Sequence, residues 1–172
     1  MQKFINWILV IAACVGLFYG IGVIVPRNST HKAKIKLDSD PRDLYRLVAD
    51  VSTWPGWYPG IVSVSARPEH DGHPVWLVTN QERDTFELEV TTAEEDSLLT
   101  ASYSFEGRRC GLRIVFGWDG EGGRMHLTKT QDTPDPWARA RMFFWPRDQT
   151  SPRKILDAVA AQLGETKRSE DA

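Results

Sequence analysis

The sequence predicts an α+β protein in which one curved antiparallel sheet of six to seven strands wraps on a C-terminal helix. One transmembrane helix precedes this unit. Three observations support the prediction. Residues 4–25 form an uncharged apolar run. Several later segments alternate apolar and polar residues and are joined by short turns rich in Gly, Asp and Glu. A helical period dominates again only near the C-terminus.

Composition sets the broad class of the protein. With 41% apolar and 26% charged residues, the chain is expected to hold one globular domain with a real core. Its net charge of −2 gives no basic excess, so no nucleic-acid partner is predicted. Cys14 lies in the apolar run and Cys110 in a strand-like segment, so a disulfide is not expected. We predict an anchor at 1–27, a domain at 28–165 and a disordered tail at 166–172.

The apolar run is predicted to be a membrane anchor. Residues 4–25 lack Asp, Glu, Lys and Arg, and as a helix they would span about 33 Å, enough for a bilayer core. A cleaved signal peptide is the alternative. The run exceeds the usual apolar region of about 7–15 residues, and Ile24-Val25-Pro26 offers no small-x-small cleavage site. A retained single-pass anchor is therefore favoured.

Flanking charges and small residues bear on how the anchor sits in the membrane. Lys3 precedes the helix, whereas four basic residues follow it: Arg27, Lys32, Lys34 and Lys36. This count favours a cytoplasmic domain, although a short basic N-terminus is also typical of anchors that keep the N-terminus inside. Ala12, Gly16 and Gly20 have the spacing that lets two membrane helices dimerise. The general abundance of small residues in membrane helices explains the same stripe and is favoured.

A strand, a helix and a tryptophan-rich corner follow the anchor. Ala33, Ile35 and Leu37 alternate with lysines, which predicts a half-buried strand. Asp40 is placed to cap a helix that begins at Pro41. One face of that helix is apolar: Leu44, Leu47, Val48 and Val51. Prolines and glycines then force sharp bends around Trp54 and Trp57, whose burial would plug one end of a core.

Six further strands are predicted, at residues 60–67, 74–79, 86–91, 99–105, 110–118 and 124–128. The His70-Asp71-Gly72-His73 turn joins the first two as a hairpin, and short turns join the rest. Short connections between alternating strands indicate an antiparallel meander with one apolar face. In the fifth of these strands the apolar phase ends with Phe116 and Trp118.

Two helical segments close the chain. Asp135-Pro136 begins the first, which carries Trp137, Ala140 and Phe144 on one face and ends at Trp145-Pro146. Ser151-Pro152 begins the second, and Gly164 is placed to end it. The inward residues of this last helix are Ile155, Leu156, Val159 and Leu163.

Asp50, Trp54-Pro55, Trp57 and Pro59, placed after one strand and a short helix, resemble the signature of the polyketide cyclase/START-like (SRPBCC, Bet v 1-like) superfamily. The resemblance covers residues 30–165. It implies the helix-grip fold, with a cavity between sheet and C-terminal helix that commonly binds hydrophobic ligands. The break at 145–150 departs from the family, whose C-terminal helix is long, and leaves open how fully the cavity is covered.

The chain carries no phosphate loop, dinucleotide fingerprint, nucleophile elbow or zinc-binding helix, and we predict no cofactor. His70 and His73 have no third ligand nearby, so no metal site is predicted. Tyr103 and Lys129 fall in or near the inward phase of their strands and are the candidate catalytic or ligand-orienting pair. The favoured alternative packs Tyr103 in the core and lets Lys129 reach water.

Inward aromatic and aliphatic residues are expected either to line a ligand cavity or to fill a core, and the resemblance favours a cavity. The predicted cavity residues are Trp57, Trp76, Phe86, Leu88, Tyr103, Phe105, Leu112, Ile114, Phe116, Leu127 and Phe143. Three functions follow, in order of preference. The first is a membrane-tethered binding or carrier domain for a lipid, quinone or polyketide-like molecule. The second is a cyclase or aromatase-like enzyme, and the third is an accessory structural protein with a filled core.

Overall fold

The computed structural model describes residues 2–144 and 151–165. The helices are α1 (Gln2–Ile24), α2 (Pro41–Ala49), α3 (Pro136–Phe144) and α4 (Pro152–Gln162), and a 3-10 helix spans Val51–Gly56. The strands are β1 (Asn28–Leu37), β2 (Ile61–His70), β3 (His73–Asn80), β4 (Thr85–Glu94), β5 (Leu98–Phe105), β6 (Arg108–Trp118) and β7 (Gly123–Asp132). The predicted strands all form, most of them a few residues longer than the alternation indicated.

The strands form one antiparallel sheet in the order β1-β7-β6-β5-β4-β3-β2. Strands β2 to β7 follow each other as a meander, because the connections are too short for crossovers. The β2–β3 turn has positive φ at both Asp71 and Gly72, as a two-residue hairpin of this kind requires. β1 pairs with β7 along its whole length, from Asn28 opposite Asp132 to Leu37 opposite Gly123. The predicted α+β class and antiparallel sheet are confirmed.

The inner face of the sheet carries the predicted apolar phase. Along β6, alternate residues are buried from Arg108 to Phe116, and their neighbours are exposed or half-buried. Trp118 breaks this pattern, because its side chain is 59% exposed where β6 runs out beyond the core. The largest fully buried side chains of the sheet are Val78, Leu88, Leu99, Ile114, Met125 and Leu127. Helices α2 and α4 pack on β1, β6 and β7, and the core extends from there across the sheet to β3.

Local capping explains α2 and the corner that follows it. The Asp40 carboxylate accepts the Arg42 N–H at 2.8 Å, and Asp50 accepts the Ser52 N–H at 3.2 Å at the start of the 3-10 helix. Trp54 is 2% exposed, and its indole Nε1 donates to the Val48 carbonyl at 3.0 Å. The predicted tryptophan plug is therefore a hydrogen-bonded part of the core.

The last helix, α4, closes the end of the sheet near β1. Ser151 caps it by accepting the Lys154 N–H at 3.3 Å, and Gly164 follows it with φ +72°. Its buried side chains include Ile155, Leu156 and Val159, while Leu163 is only half-buried. Just after α4, the Glu165 carboxylate accepts hydrogen bonds from Asp38 N and Ser39 Oγ. These bonds fasten the C-terminal end of α4 to the link between β1 and α2.

Helix α3 does not cover the sheet as part of one long C-terminal helix. Its Trp137 and Phe144 contact Phe18 of α1, each with ring centroids 5.6 Å apart. The face that the sequence marked as apolar therefore meets α1. The predicted break at 145–150 and the predicted tail at 166–172 lie outside the described residues.

Helix α1 contains a stretch, Ile5–Ile24, that is long and apolar enough to cross a membrane, with a mean hydropathy of 2.4. Only 6% of its apolar window is buried, so it is no core helix of the domain. Added Cβ atoms at Gly16 and Gly20 would meet nothing within 4 Å. The dimer through this small-residue stripe stays a prediction.

Candidate functional site

A cavity of about 180 Å³ lies between the inner face of the sheet and the tryptophan corner. Strands β4 to β7 form its wall, the residues after the 3-10 helix form its cover, and the β3–β4 turn forms its rim. The lining side chains include Trp54, Tyr58, Ile61, Phe86, Leu88, Tyr103, Phe105, Arg108, Cys110, Leu112 and Lys129. None of the described residues of α4 lines it, so the cavity sits beside the corner and not beneath the last helix.

The structure gathers about half of the predicted cavity residues around this space. Phe86, Leu88, Tyr103, Phe105 and Leu112 line it, and the Phe86 and Tyr103 rings lie 4.8 Å apart. Lys129 joins them because it stands opposite Leu112 in the β6–β7 register. The two candidate polar residues thus face the same cavity.

The remaining predicted cavity residues lie elsewhere. Five belong to the packed core or pack against it: Trp57, Trp76, Ile114, Phe116 and Leu127. Most of this set lies toward the end of the sheet that α2 and α4 fill, which leaves space only at the other end. Phe143 lies on α3 with 63% of its side chain exposed, so its place in the cavity is corrected.

The lining residues that sequence reasoning missed include four with large or polar side chains: Trp54, Tyr58, Arg108 and Cys110. Arg108 and Cys110 precede Leu112 at the strand period, so extending the inward phase of β6 by two positions would have found Arg108. The other two come from the irregular corner, where no periodic signal exists. Tyr58 stacks on Trp54 with ring centroids 4.8 Å apart.

Burial shifts the titration of the groups on the polar side of the cavity. It raises the pKa of Tyr103 far above the usual range, so the phenol stays neutral and can donate a hydrogen bond. Burial also raises the pKa of the Cys110 thiol. For Lys129, burial lowers the pKa, because the ammonium has lost part of its hydration. An anion placed beside Lys129 would offset this loss.

Arg108 is held rigidly at the end of the cavity near the β5–β6 turn. Its side chain is only 4% exposed, and Nη2 donates to Glu106 Oε2 at 2.6 Å. Nε donates to the Phe105 carbonyl at 3.3 Å, and the guanidinium lies 5.1 Å from the centroid of the Phe105 ring. Arg108 is therefore a fixed part of the wall, with much of its charge balanced by Glu106.

A larger open groove of about 990 Å³ lies on the outer face of the sheet. Its lining mixes both signs of charge, from residues such as Arg67, His70, Glu87, Glu89 and Arg109. Several of these side chains are well exposed, and His70 Nδ1 lies 3.5 Å from Glu89 Oε1. The groove shares Phe86, Tyr103 and Cys110 with the inner cavity. We take the inner cavity as the candidate site because apolar side chains meet Lys129 and Arg108 there.

Within residues 2–144 and 151–165, no three His, Cys, Asp or Glu side chains are grouped so that they could hold a metal ion. The chemistry available at the inner cavity is that of Tyr103, Cys110, Lys129 and Arg108. These groups can bind and orient a carbonyl or a carboxylate.

Comparison with known proteins shows similarity in structure but not in sequence. No protein-family model matches the chain, and neither does any curated protein sequence. The di-domain ARO/CYC BexL from the BE-7585A biosynthetic pathway is similar over 81% of this chain and 51% of its own, with TM-score 0.62 and 16% identity. The chain thus spans about half the length of BexL, and the same holds for the di-domain ARO/CYC StfQ from the steffimycin pathway.

Single-domain structures align over nearly their whole length. A norcoclaurine synthase point mutant from Thalictrum flavum, in complex with a transition-state analogue, covers 79% of this chain and 94% of its own at TM-score 0.61 and 9% identity. A START superfamily protein from Mycobacterium smegmatis covers 81% and 98% at TM-score 0.54 and 12% identity. The part of this chain that follows α1 therefore has the helix-grip fold of the START-like and Bet v 1-like proteins.

Proposed function

We propose that this protein is a membrane-tethered binding or carrier domain for a hydrophobic small molecule held in the inner cavity. One observation carries the proposal: a cavity walled by Phe86, Leu88, Phe105 and Leu112 is also lined by the half-buried Lys129. Apolar walls with a few convergent polar groups are typical of small-molecule sites. A wholly filled core would leave no such space.

The size of the cavity limits what fits inside. An engineered apolar cavity of about 150 Å³ takes up benzene. A cavity of about 180 Å³ therefore suits one ring, or the end of a longer molecule that projects through the rim. A multi-ring polyketide or a whole lipid would need the rim, formed by residues 80–82, to open.

The polar groups favour a ligand with an acidic or carbonyl group at the enclosed end. A carboxylate beside Lys129 would form a charge-assisted hydrogen bond and compensate for the burial of the ammonium. The Tyr103 hydroxyl, kept neutral by burial, could donate to the same oxygen. Such bonds contribute about 1.5–3 kcal/mol each.

Tethering by α1 would hold the cavity close to a bilayer. The helix is almost entirely exposed, and its apolar surface is best satisfied by lipid. A tether raises the local concentration of a membrane-borne ligand without raising the intrinsic affinity. The flanking charges favour placing the domain on the cytoplasmic side.

The test measures binding to the full chain in lipid nanodiscs. The probes are 3-phenylpropanoate, which carries one ring and a carboxylate, and its uncharged amide. We expect Lys129→Met to weaken propanoate binding about 10-fold or more and to leave amide binding nearly unchanged. Lys34→Met is the matched control, because Lys34 is exposed on β1. Failure of both probes and of all copurifying apolar molecules to bind would favour the structural protein with a filled core.

A cyclase or aromatase-like enzyme is the second candidate, favoured by one feature. Tyr103 stands opposite Cys110 and Lys129 opposite Leu112, so a neutral phenol, a thiol and a lysine of lowered pKa share one wall. A phenol can act as an acid and such a lysine as a base. Turnover of an aromatic polyketide precursor that is lost in both Lys129→Ala and Tyr103→Phe would establish this function. Binding without turnover would leave the carrier function.

A further inference from the structure

Three large aromatic side chains of α3 are exposed. Trp137 is 44% exposed, Phe143 63% and Phe144 45%. We call these three residues the aromatic face. Ala138, Arg139 and Ala140 are buried, and Ala140 lies on the same side of α3 as Trp137 and Phe144, where it packs against Gly22 of α1. Exposed rings grouped on one short helix mark an interaction surface.

Close contacts fix α3 to α1. Arg139 Nε donates to the Gly22 carbonyl at 2.6 Å. A Cβ added at Gly22 would lie 1.9 Å from the Pro136 carbonyl oxygen, so only glycine allows this approach. Phe18 and Tyr19 pack on Trp137 with ring centroids 5.6 Å away. The two helices are therefore closely packed against each other.

The contacts also locate α3 along α1. Gly22 lies beside Pro136 and Ala140, and Phe18, one turn earlier on α1, lies beside both Trp137 and Phe144. Helix α3 thus packs alongside the last two turns of α1. Phe18 lies six residues before Ile24, the end of the apolar stretch, which corresponds to a depth of about 9 Å. Interfacial helices bury their apolar face about 5–10 Å deep.

We propose that the aromatic face of α3 binds the lipid surface of the bilayer that α1 crosses, at the level of the headgroups and the first acyl carbons. The inference rests on the proposed membrane tether. Aromatic side chains favour this zone because their rings are apolar and, in Trp, a polar N–H remains available to water. The face continues the apolar surface of α1, which favours lipid over a separate protein partner as its occupant.

This placement orients the cavity toward the membrane. Met142 of α3 contacts two residues of the β6 and β7 ends: Arg108 Nη1 lies 3.9 Å and Gln131 Nε2 lies 3.5 Å from its sulfur. Arg108 lines the cavity. The cavity end near the β5–β6 turn is thus one side chain away from α3, and a lipid-bound α3 sets that end against the bilayer surface.

Tryptophan quenching by brominated lipid tests the proposal on the full chain. The protein is reconstituted in vesicles of phosphatidylcholine and phosphatidylglycerol, part of the former carrying bromine near the headgroup end of its acyl chain. Trp137→Phe removes a tryptophan that we expect to be quenched, so the quenched fraction of the emission should fall. Trp118→Phe is the control, because Trp118 is 59% exposed at the opposite end of β6 from Arg108, and the quenched fraction should rise. Both changes keep an aromatic ring and the fold.

Each other outcome overturns the proposal in a distinguishable way. A quenched fraction that rises in Trp137→Phe places α3 away from lipid while leaving the tether intact. Protection of Trp137 from both brominated lipid and aqueous iodide indicates a second protein chain on the aromatic face. A full chain that does not float with the vesicles removes the tether itself, and the interfacial helix with it.

Discussion

At the scale of single residues, Lys129 links the stability of the fold to the proposed binding site. Its strand phase placed it near the inner face, and the structure puts it on the cavity wall beside Leu112. Burial disfavours the ammonium, which is why its pKa is lowered. A lysine that faces a cavity and whose pKa is lowered by burial is a candidate for function.

Lys129→Met should stabilise the folded protein at neutral pH and lose that advantage at high pH. Where the pH is below the lowered pKa, native wild type holds a charged, partly desolvated ammonium at Lys129 and is less stable than Lys129→Met. As the pH rises through that pKa toward the ordinary lysine value, the unfolded state binds more protons and wild-type stability rises. Denaturant unfolding at neutral and alkaline pH measures the difference.

The control for this prediction is Lys34→Met, whose side chain is exposed. Its effect on the free energy of unfolding should be small and should not follow the same pH course. Wild type that is already more stable than Lys129→Met at neutral pH would contradict the account of a costly buried ammonium.

Periodicity found Tyr103 and Lys129 because both lie on regular strands, where every second residue faces inward. It missed Tyr58 because the corner after the 3-10 helix has no repeat to follow. It also assigned Trp118 to the inner face. Trp118 follows the alternation of β6, but its side chain is exposed because β6 extends beyond the core there. Phase predicts the direction of a side chain, whereas packing of distant elements decides what covers it.

At the scale of elements, the β6–β7 turn is more than a connection. A Cβ added at Gly122 would lie 2.1 Å from the Leu37 carbonyl oxygen, and one at Gly123 2.5 Å from the Ser39 carbonyl oxygen. The turn therefore presses directly on the end of β1, and the two glycines let the backbones approach. The sequence predicted this segment only as a turn between two strands.

Gly122→Ala should destabilise the protein by about 2 kcal/mol or more, because backbone must move to admit the methyl group. Gly117→Ala is the matched control, since its added Cβ meets nothing within 4 Å. That change should alter the free energy of unfolding by at most about 1 kcal/mol. Thermal unfolding of the full chain in detergent compares the two, and equal effects would contradict the close approach of the turn to β1.

Helix α3 shows where element prediction reaches its limit. Its start at Asp135-Pro136 and its apolar face were readable, and the Asp135 carboxylate accepts the Trp137 N–H at 3.0 Å. The sequence did not predict that α3 packs on α1, because an apolar face does not specify which apolar surface it meets. The contact with Gly22 joins residues more than a hundred positions apart.

At the scale of the whole molecule, the fold and the anchor differ in how firmly they are determined. The meander follows from short turns between alternating strands, and structural similarity to START-like proteins agrees with it. For α1, the structure adds that the helix lies outside the core. The N-terminus of the mature protein distinguishes a retained anchor from a removed leader.

We expect the mature protein to keep residues 1–27 and to stay with the membrane fraction through an alkaline carbonate wash. The reason is the length of the uncharged helix and the close fit of Gly22 against Pro136, which makes α1 part of the folded structure. Intact-mass measurement of protein from washed membranes checks both points. A mature chain that begins near residue 27 and is released by the wash would contradict the tether.

The Glu165 contact gives the domain a particular response to force. Helix α1 leads into β1 at Asn28, whereas Glu165, just after α4, is fastened beside Leu37 at the opposite end of the same strand. Traction between a bilayer and the C-terminal side of the domain would run along β1. The two hydrogen bonds of Glu165 would carry that load, so this contact would yield before the longer β1–β7 ladder.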